Sequence, residues 1–414
     1  MSTKFYKGQS TPVAKVMIVT PAVVEIGDVF SILIDGEVVA TFTALAATVA
    51  SVATGLAAAW NASSDVRAAT CTATVVSSTV VLTADTLGMP FVITCSTVDG
   101  GGNDTQTLVP TTSIANVSAN DAGNLNNWSD GVVLTTSDVV VLENSASHIL
   151  HTLDQSAVTL ASLTIKPTYT GRIGLYKNKF ATTATTHSAT KSEYRDEYLK
   201  IGVTNFSMPL HVGAGSPSSS SRVNVNFGTV QTTVLINGTS QSSADDQLPP
   251  VRLLGTHAAN KLTMTDGVVG SCLVAGELST WTEVNVSDGI LNLGVGATLT
   301  TLNVEGGDVQ IASAVTTINQ DGGKITVNGS GGITTINCNG GEINYNGSGT
   351  ITNLNVRGKC VLSSGTARTI TNCNLFAGAN LMSDESTTFT NGIDLKSCGI
   401  EDVTLQMGKN INIS

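Results

Sequence analysis

WTEVNV (281–286), LTTLNV (299–304), VTTINQ (315–320), ITTINC (333–338), ITNLNV (351–356) and ITNCNL (370–375) are six renderings of one six-residue phrase. Their starts are spaced 18, 16, 18, 18 and 19 residues apart. Each carries an asparagine at its fifth place: Asn285, Asn303, Asn319, Asn337, Asn355 and Asn374. A glycine turn usually follows (Asp288-Gly289, Gly306-Gly307, Gly322-Gly323, Gly340-Gly341), then a second short apolar run: ILNL, DVQI, KITV, EINY. A Gly/Ser turn such as Asn328–Gly332 closes the unit. One such unit cannot bury its apolar side alone, but stacked units make a continuous core, each strand hydrogen-bonding to the next coil about 4.8 Å away. The expectation is a parallel β-solenoid over 281–414 with coils of about 18 residues. Val284, Leu302, Ile318, Ile336, Leu354 and Cys373 would form one aliphatic stack. The six asparagines would form either an amide ladder or a flat outward polar surface. Coils of this length suit a three-sided or a flatter two-sided cross-section. The degenerate last repeats read as a C-terminal cap or a site of self-association.

Working towards the N-terminus, residues 110–280 hold strand-like runs such as Val139–Asn144, Val158–Ile165, Tyr198–Val203, Arg222–Phe227 and Thr232–Asn237. They are separated by Ser/Pro-rich loops, and the region reads as irregular solenoid coils with long insertions. The run Asp99–Asp104, DGGGND, marks a linker over 99–109. Residues 13–98 read as a small α+β attachment domain. Phe30–Asp35 and Val38–Phe42 flank an Asp-Gly turn, a hairpin signal, and Val49, Val52, Leu56 and Trp60 recur at helical spacing over 47–61. Residues 1–12 read as a flexible arm. The fold class expected is therefore mainly β, a small N-terminal α+β domain followed by a parallel β-solenoid.

The chain has 414 residues, 12% of them charged, with a net charge of −11. Its 20 Lys and Arg are scattered rather than clustered, so no nucleic-acid footprint is present and the acidic surface serves solubility. The polar N-terminus MSTKFYKGQSTPVAKV has no apolar core of a secretory signal, and no stretch is long and apolar enough to suggest a membrane partner. The seven cysteines lack CxxC pairing and zinc spacing and read as small buried apolar residues, with Cys71 and Cys95 on neighbouring strands.

The pattern of reactive groups is sparse. Glycan cleavage needs two carboxylates facing each other across a sugar. In the regular coils Glu283, Asp288, Glu305, Asp308, Asp321 and Glu342 sit mostly at or beside turns, and the vicinal Asp245-Asp246 lies in a loop. His148 and His151 lack a companion cysteine or carboxylate cluster, and the Gly-rich turns lack the aspartates of a calcium-binding roll. No phosphate-cradling GxxxxGK(S/T) occurs, and Gly213–Gly215, which leads into no helix, is uninformative. Trp128 and Trp281 are candidates for stacking on a sugar or for capping stacked coils. No catalytic, metal or cofactor-binding residue is assigned, and the chain is expected to be non-enzymatic and to carry no cofactor.

The segment IGDVFSILIDGEVVATFTALAATVASVATGLAAAWNAS (26–63) resembles a small module of tailed-phage virion proteins. NLNNWSDGVVLTTSDVVVLEN (124–144) and LDQSAVTLASLTI (153–165) resemble the opening coils of β-solenoids from phages and bacterial surfaces. The Thr-Asn-Gly repeats are similar to phage solenoids and to autotransporter passengers, but the signal peptide and terminal barrel of an autotransporter are not evident. The resemblance implies a virion structural protein of the capsid-decoration (cement) or tail-fibre type. It implies major capsid or other virion proteins as partners and, by analogy, a homo-oligomer, often a trimer. The alternative it leaves is a tail fibre or tailspike that binds or cleaves host-surface glycans.

Overall fold

The computed structural model describes residues 2–102, 105–174, 197–209, 222–239, 249–363 and 365–408, with the backbone of two further short strands at 179–180 and 191–192. Each regular coil carries a long strand, such as Ser279–Val286 or Ala297–Val304, and a short one, such as Ile290–Leu293 or Asp308–Ile311. Every strand pairs in parallel with its equivalent one coil on: Thr317 with Thr335, Ile318 with Ile336, Asn319 with Asn337. The chain is thus a parallel β-solenoid of about 11 turns, with coils of about 19 residues.

The cross-section follows from side-chain parity. In a straight strand, residues three apart face opposite sides. Yet Trp281 and Val284 both point inward, as do Leu299 and Leu302, and Thr282 and Thr300 drop out of the register between them. The long strand therefore turns a corner at that threonine. Each coil has three straight runs, here Ser279–Trp281, Glu283–Val286 and Ile290–Leu293, so the coil is three-sided.

The core is the sum of these inward positions. Val284, Leu302, Ile318, Ile336, Leu354 and Cys373 stack in register, as the repeat implies. The same stack runs back through Leu262, Val234, Phe206 and Leu163, and on to Ile393. All of these are buried, each such side chain stabilising by about 1.5–3 kcal/mol. Residues 110–280 do contain irregular coils. Equivalent residues there lie 23, 43, 28 and 22 apart, at Glu143/Lys166, Thr164/Ser207, Asn237/Thr265 and Lys261/Glu283. The glycine turns stack too. Gly307, Gly323 and Gly341 adopt φ of +77°, +67° and +66°. A Cβ on each would stand 2.4–2.5 Å from the carbonyl oxygen of the equivalent glycine one coil back. Both the left-handed backbone and the close approach require glycine there.

The N-terminal unit is built from two small antiparallel sheets and one helix. Thr48 caps helix α1 (Val49–Asn61), which buries Val52, Leu56 and Trp60. The Trp60 indole N–H donates to the Cys71 carbonyl at 2.9 Å. One sheet has the strand order Glu37–Thr43, Val29–Ile34, Thr94–Val98; its hairpin turns through Asp35 and Gly36, both at positive φ. The other has the order Cys71–Val76, Thr79–Ala84, Val16–Ala22, Thr107–Ile114.

Two boundaries differ from the sequence reading. Residues 1–12 are not a flexible arm: Thr3–Phe5 is a strand parallel to Val139–Val141 in the first coil. Lys4 is buried there, its ammonium donating to the carbonyls of Val132 and Val133 and lying 3.0 Å from Asp130. Nor is 99–109 a linker to the solenoid. It connects two strands of the N-terminal unit, because Thr107–Ile114 pairs antiparallel with Val16–Ala22. Val13 and Val117 bridge the entrance and exit of this unit, which is therefore inserted within the first coil.

Candidate functional site

On each three-sided coil the residue between two inward side chains must point out. Asn285, between buried Val284 and Val286, is half-buried on the outer face, and so are its five equivalents. Each asparagine donates its side-chain N–H to the amide oxygen one coil back, at 2.7, 2.8, 2.7, 2.8 and 2.7 Å from Asn303 through Asn374. Both alternatives drawn from the repeat hold together: the residues form an amide ladder, and the ladder is an outward polar surface. Glu283 accepts from Asn285 at 3.1 Å, while Asn374 is in register with Asp394 at the far end.

A second row runs beside it, through Thr301, Thr317, Thr335, Asn353 and Asn372. Asn372 donates to Asn353 at 2.9 Å, and Asn391 to Asn372 at 2.7 Å. Between Thr301 and Asn374 the two rows contain no charged residue. Charges flank them: Lys261 pairs with Glu283 at 2.9 Å at one end, and Lys396 with Asp394 at the other. Each ladder amide keeps one N–H and one lone pair for an external partner. The face can therefore offer repeated neutral donors and acceptors, and it has no group poised for proton transfer.

The remaining candidates are dispersed and mostly engaged; Asp308, in register between Ile290 and Lys324, buries one carboxylate oxygen without a hydrogen-bond partner. Hydrogen bonding from Lys261 and Asn285 holds the Glu283 carboxyl below the usual carboxylate range. Glu342 is lowered similarly by Lys359 and Asn344, at 2.8 Å each. Glu305 accepts from Ser287, and Asp321 from Asn339, both at 2.9 Å. His148 accepts the Arg172 backbone N–H at 3.1 Å; burial and the nearby Arg172 charge lower its pKa. Asp245, Asp246, His187, His211 and Gly213–Gly215 lie outside the described residues. Among the described residues, no group of three or more His, Cys, Asp or Glu is placed to hold a metal ion.

Trp128 and Trp281 are 3% and 1% exposed, so neither offers a ring to a sugar. Trp128 packs edge-on against Tyr6 at 5.0 Å in the first coil and donates to the Ala122 carbonyl. All seven cysteines are free thiols, and Cys71 and Cys95 lie in different sheets. Burial pushes the Cys338 thiol up to about 11 and the Cys373 thiol up to about 12.

Sequence reasoning missed one cluster. Arg252 is buried and donates to Glu197 and Glu277, both at 2.5 Å, with its guanidinium 4.9 Å from the Tyr198 ring centre. The Tyr198 hydroxyl donates to the same Glu277. The signal was a single arginine inside the apolar strand Val251–Leu254, and its partners lie 55 and 25 residues away along the chain.

Fold and face define a β-solenoid protein whose outer surface is ruled by an asparagine ladder. No protein-family model, curated protein or solved structure matches the chain.

Proposed function

We propose that this is a non-enzymatic structural protein of a tailed-phage particle. In this reading the inserted N-terminal unit attaches it to the virion, and the solenoid decorates or stabilises the capsid surface. The observation that carries the non-enzymatic part is the use made of polar side chains in the regular coils. Asparagines bond from coil to coil, and Glu283, Glu342 and Asp321 are held by partners in their own or adjacent coils. Such bonds rigidify a rod, whereas glycan cleavage needs paired carboxylates free to face a substrate. The attachment role is supported by the distribution of exposed large apolar residues. Of the 22 among the described residues, 14 fall between Val13 and Ile114. The virion setting and its partners, major capsid or other virion proteins with further copies of this chain, rest on the resemblance of 26–63 and 124–165 to phage modules.

Cryo-electron microscopy of the particle tests this reading. Many copies on the head lattice, bound through 13–117, are expected. A few copies at the tail would favour a fibre or spike. A free enzyme in solution, with none on any particle, would overturn it.

A further inference from the structure

The solenoid side that carries the amide ladder is wider than its two rows. Beside the row from Thr301 to Asn372 stands a third, made of the corner threonines Thr300, Thr316, Thr334, Thr352 and Thr371, one per coil. The first four are exposed and Thr371 is half-buried. Three positions in each of five successive coils are therefore Thr or Asn, and none is charged. Sheets of many strands normally twist, and a side-chain ladder is one of the devices that hold them flat. Here the ladder bonds stay at 2.7–2.8 Å from coil to coil. The two inner rows keep their register from Thr301 to Asn372 without a slip.

We infer that this face binds ice. The partner must be uncharged, because a charged one would be desolvated with no counter-charge anywhere on the three rows. It must also repeat in two directions. Coils stand about 4.8 Å apart, and the two inner rows, two residues apart along each strand, are separated by about 6.7 Å. Tetrahedral water has both repeats. Waters bonded to a common neighbour at about 2.75 Å lie about 4.5 Å apart, and the hexagonal lattice repeats every eight-thirds of that bond, about 7.3 Å. On the prism face of the crystal these two repeats are at right angles, as are the solenoid axis and its strands. Along the axis the misfit is about 0.3 Å per coil, or about 0.6 Å at either end of five coils centred on Thr335. Across the rows it is also about 0.6 Å, comparable to the spread of hydrogen-bond lengths. The chemistry matches as well. Each threonine hydroxyl donates and accepts, and each ladder amide keeps one N–H and one lone pair, so the face offers the lattice what a layer of water offers. The amides are already ordered by the ladder, so binding immobilises few free side chains. Ion pairs bound the strip at both ends, Lys261 with Glu283 and Lys396 with Asp394. The inference does not depend on the virion setting.

Ice grown slowly from a dilute solution of the full chain takes up what binds it and excludes what does not. The expected result is enrichment of the native chain in the ice, together with a gap between the melting and freezing temperatures of a single crystal held in the solution. Thr335→Tyr, at the centre of the middle row, lifts a ring out of the plane and is expected to return the chain to the liquid. Thr334→Tyr, at an exposed corner position, is expected to do the same and serves if Thr335→Tyr loses native circular dichroism. Thr326→Tyr, outward on the short strand Lys324–Val327 of another side, is expected to stay in the ice. Exclusion of the native chain from ice overturns the inference, as does uptake of both ladder-face variants or equal loss in Thr326→Tyr. Exclusion from ice combined with retention on a neutral glycan array, lost in Thr335→Tyr, assigns the face to a glycan and overturns it too.

Discussion

Replacing Asn337 with alanine tests whether the ladder holds coils together. Asn337 donates to Asn319 at 2.7 Å and accepts from Asn355 at 2.8 Å, so the variant loses two bonds. A net hydrogen bond contributes about 0.5–1.5 kcal/mol, and on this half-buried face water can reach the orphaned amides, so the expected loss is about 1.5 kcal/mol. Asn319→Ala loses the bonds to Asn303 and Asn337 and should lose a similar amount. The double variant loses three bonds, not four, because one is shared. Its loss should fall about 1 kcal/mol short of the sum. Ile336→Ala, on the adjacent inward position, should lose about 2–5 kcal/mol through its cavity. Stacked repeats do not unfold as one two-state unit, so the fitting assay is native-state hydrogen exchange of peptides covering 333–356. Unchanged protection in Asn337→Ala, or strict additivity in the pair, would refute the ladder as a cohesive element.

Four further outcomes are expected. Asp138 is held at about 2: burial raises its pKa, but hydrogen bonds from Thr135 and Ser2 outweigh this. The stability it contributes, on the order of 2 kcal/mol, is fully present above its unfolded value near 4 and is lost as pH falls through 2; acid titration by tryptophan fluorescence should lose this step in Asp138→Asn. Arg252→Met strands Glu197 and Glu277 against Tyr198 and should destabilise the irregular coils by about 3–5 kcal/mol, measured by native-state hydrogen exchange of peptides covering 249–263. Gly323→Ala, at φ +67° and 2.5 Å from a carbonyl oxygen, should lower the melting temperature by several degrees, whereas Gly331→Ala, whose nearest contact would be 3.7 Å, should not. The buried thiols of Cys71, Cys272, Cys338, Cys360 and Cys373 should stay silent to Ellman's reagent until the chain is unfolded, and a fast native reaction of Cys338 would contradict its burial.

The solenoid was legible because its register is written redundantly. Ile318, Ile336 and Leu354 carry the same message at the same interval, and any one could be lost. The side of the asparagines was harder to read. Counting two-residue alternation from Trp281 puts Val284 outside, and only the corner at Thr282 restores it. Corners are set by coil closure, which no local pattern announces. The strand Thr3–Phe5 was illegible for a related reason. It is three residues long with a lysine at its centre, and the carbonyls and carboxylates that make Lys4 buriable come from residues 130–138. Thr107–Ile114 was missed because it follows a glycine run and contains Pro110; as an edge strand it tolerates a residue that cannot donate.

Ion pairs link coils in both parts of the solenoid, whereas the asparagine ladder belongs to the regular part, and this follows from coil length. Where coils are near 18 residues, like side chains meet like along the asparagine rows, where only a group that both donates and accepts can bond to a copy of itself; the row Asp308, Lys324, Glu342 and Lys359 on another side alternates in charge instead. Asparagine bonds to its own copy, and lysine or glutamate would repel its own equivalent. Where coils lengthen to 22–43 residues, equivalent positions carry different residues, and unlike charges can be set opposite each other. Lys261 meets Glu283, Lys166 meets Glu143, and Arg252 ties together Glu197 and Glu277 from either side in sequence. The two lysine pairs are at the surface, but the Arg252 pairs are buried; a buried pair adds little net stability over an apolar one, yet a slip that leaves its charge unpaired is penalised. The irregular coils, which lack the redundancy of the repeat, are where that penalty falls on a buried pair, Arg252 with Glu197 and Glu277.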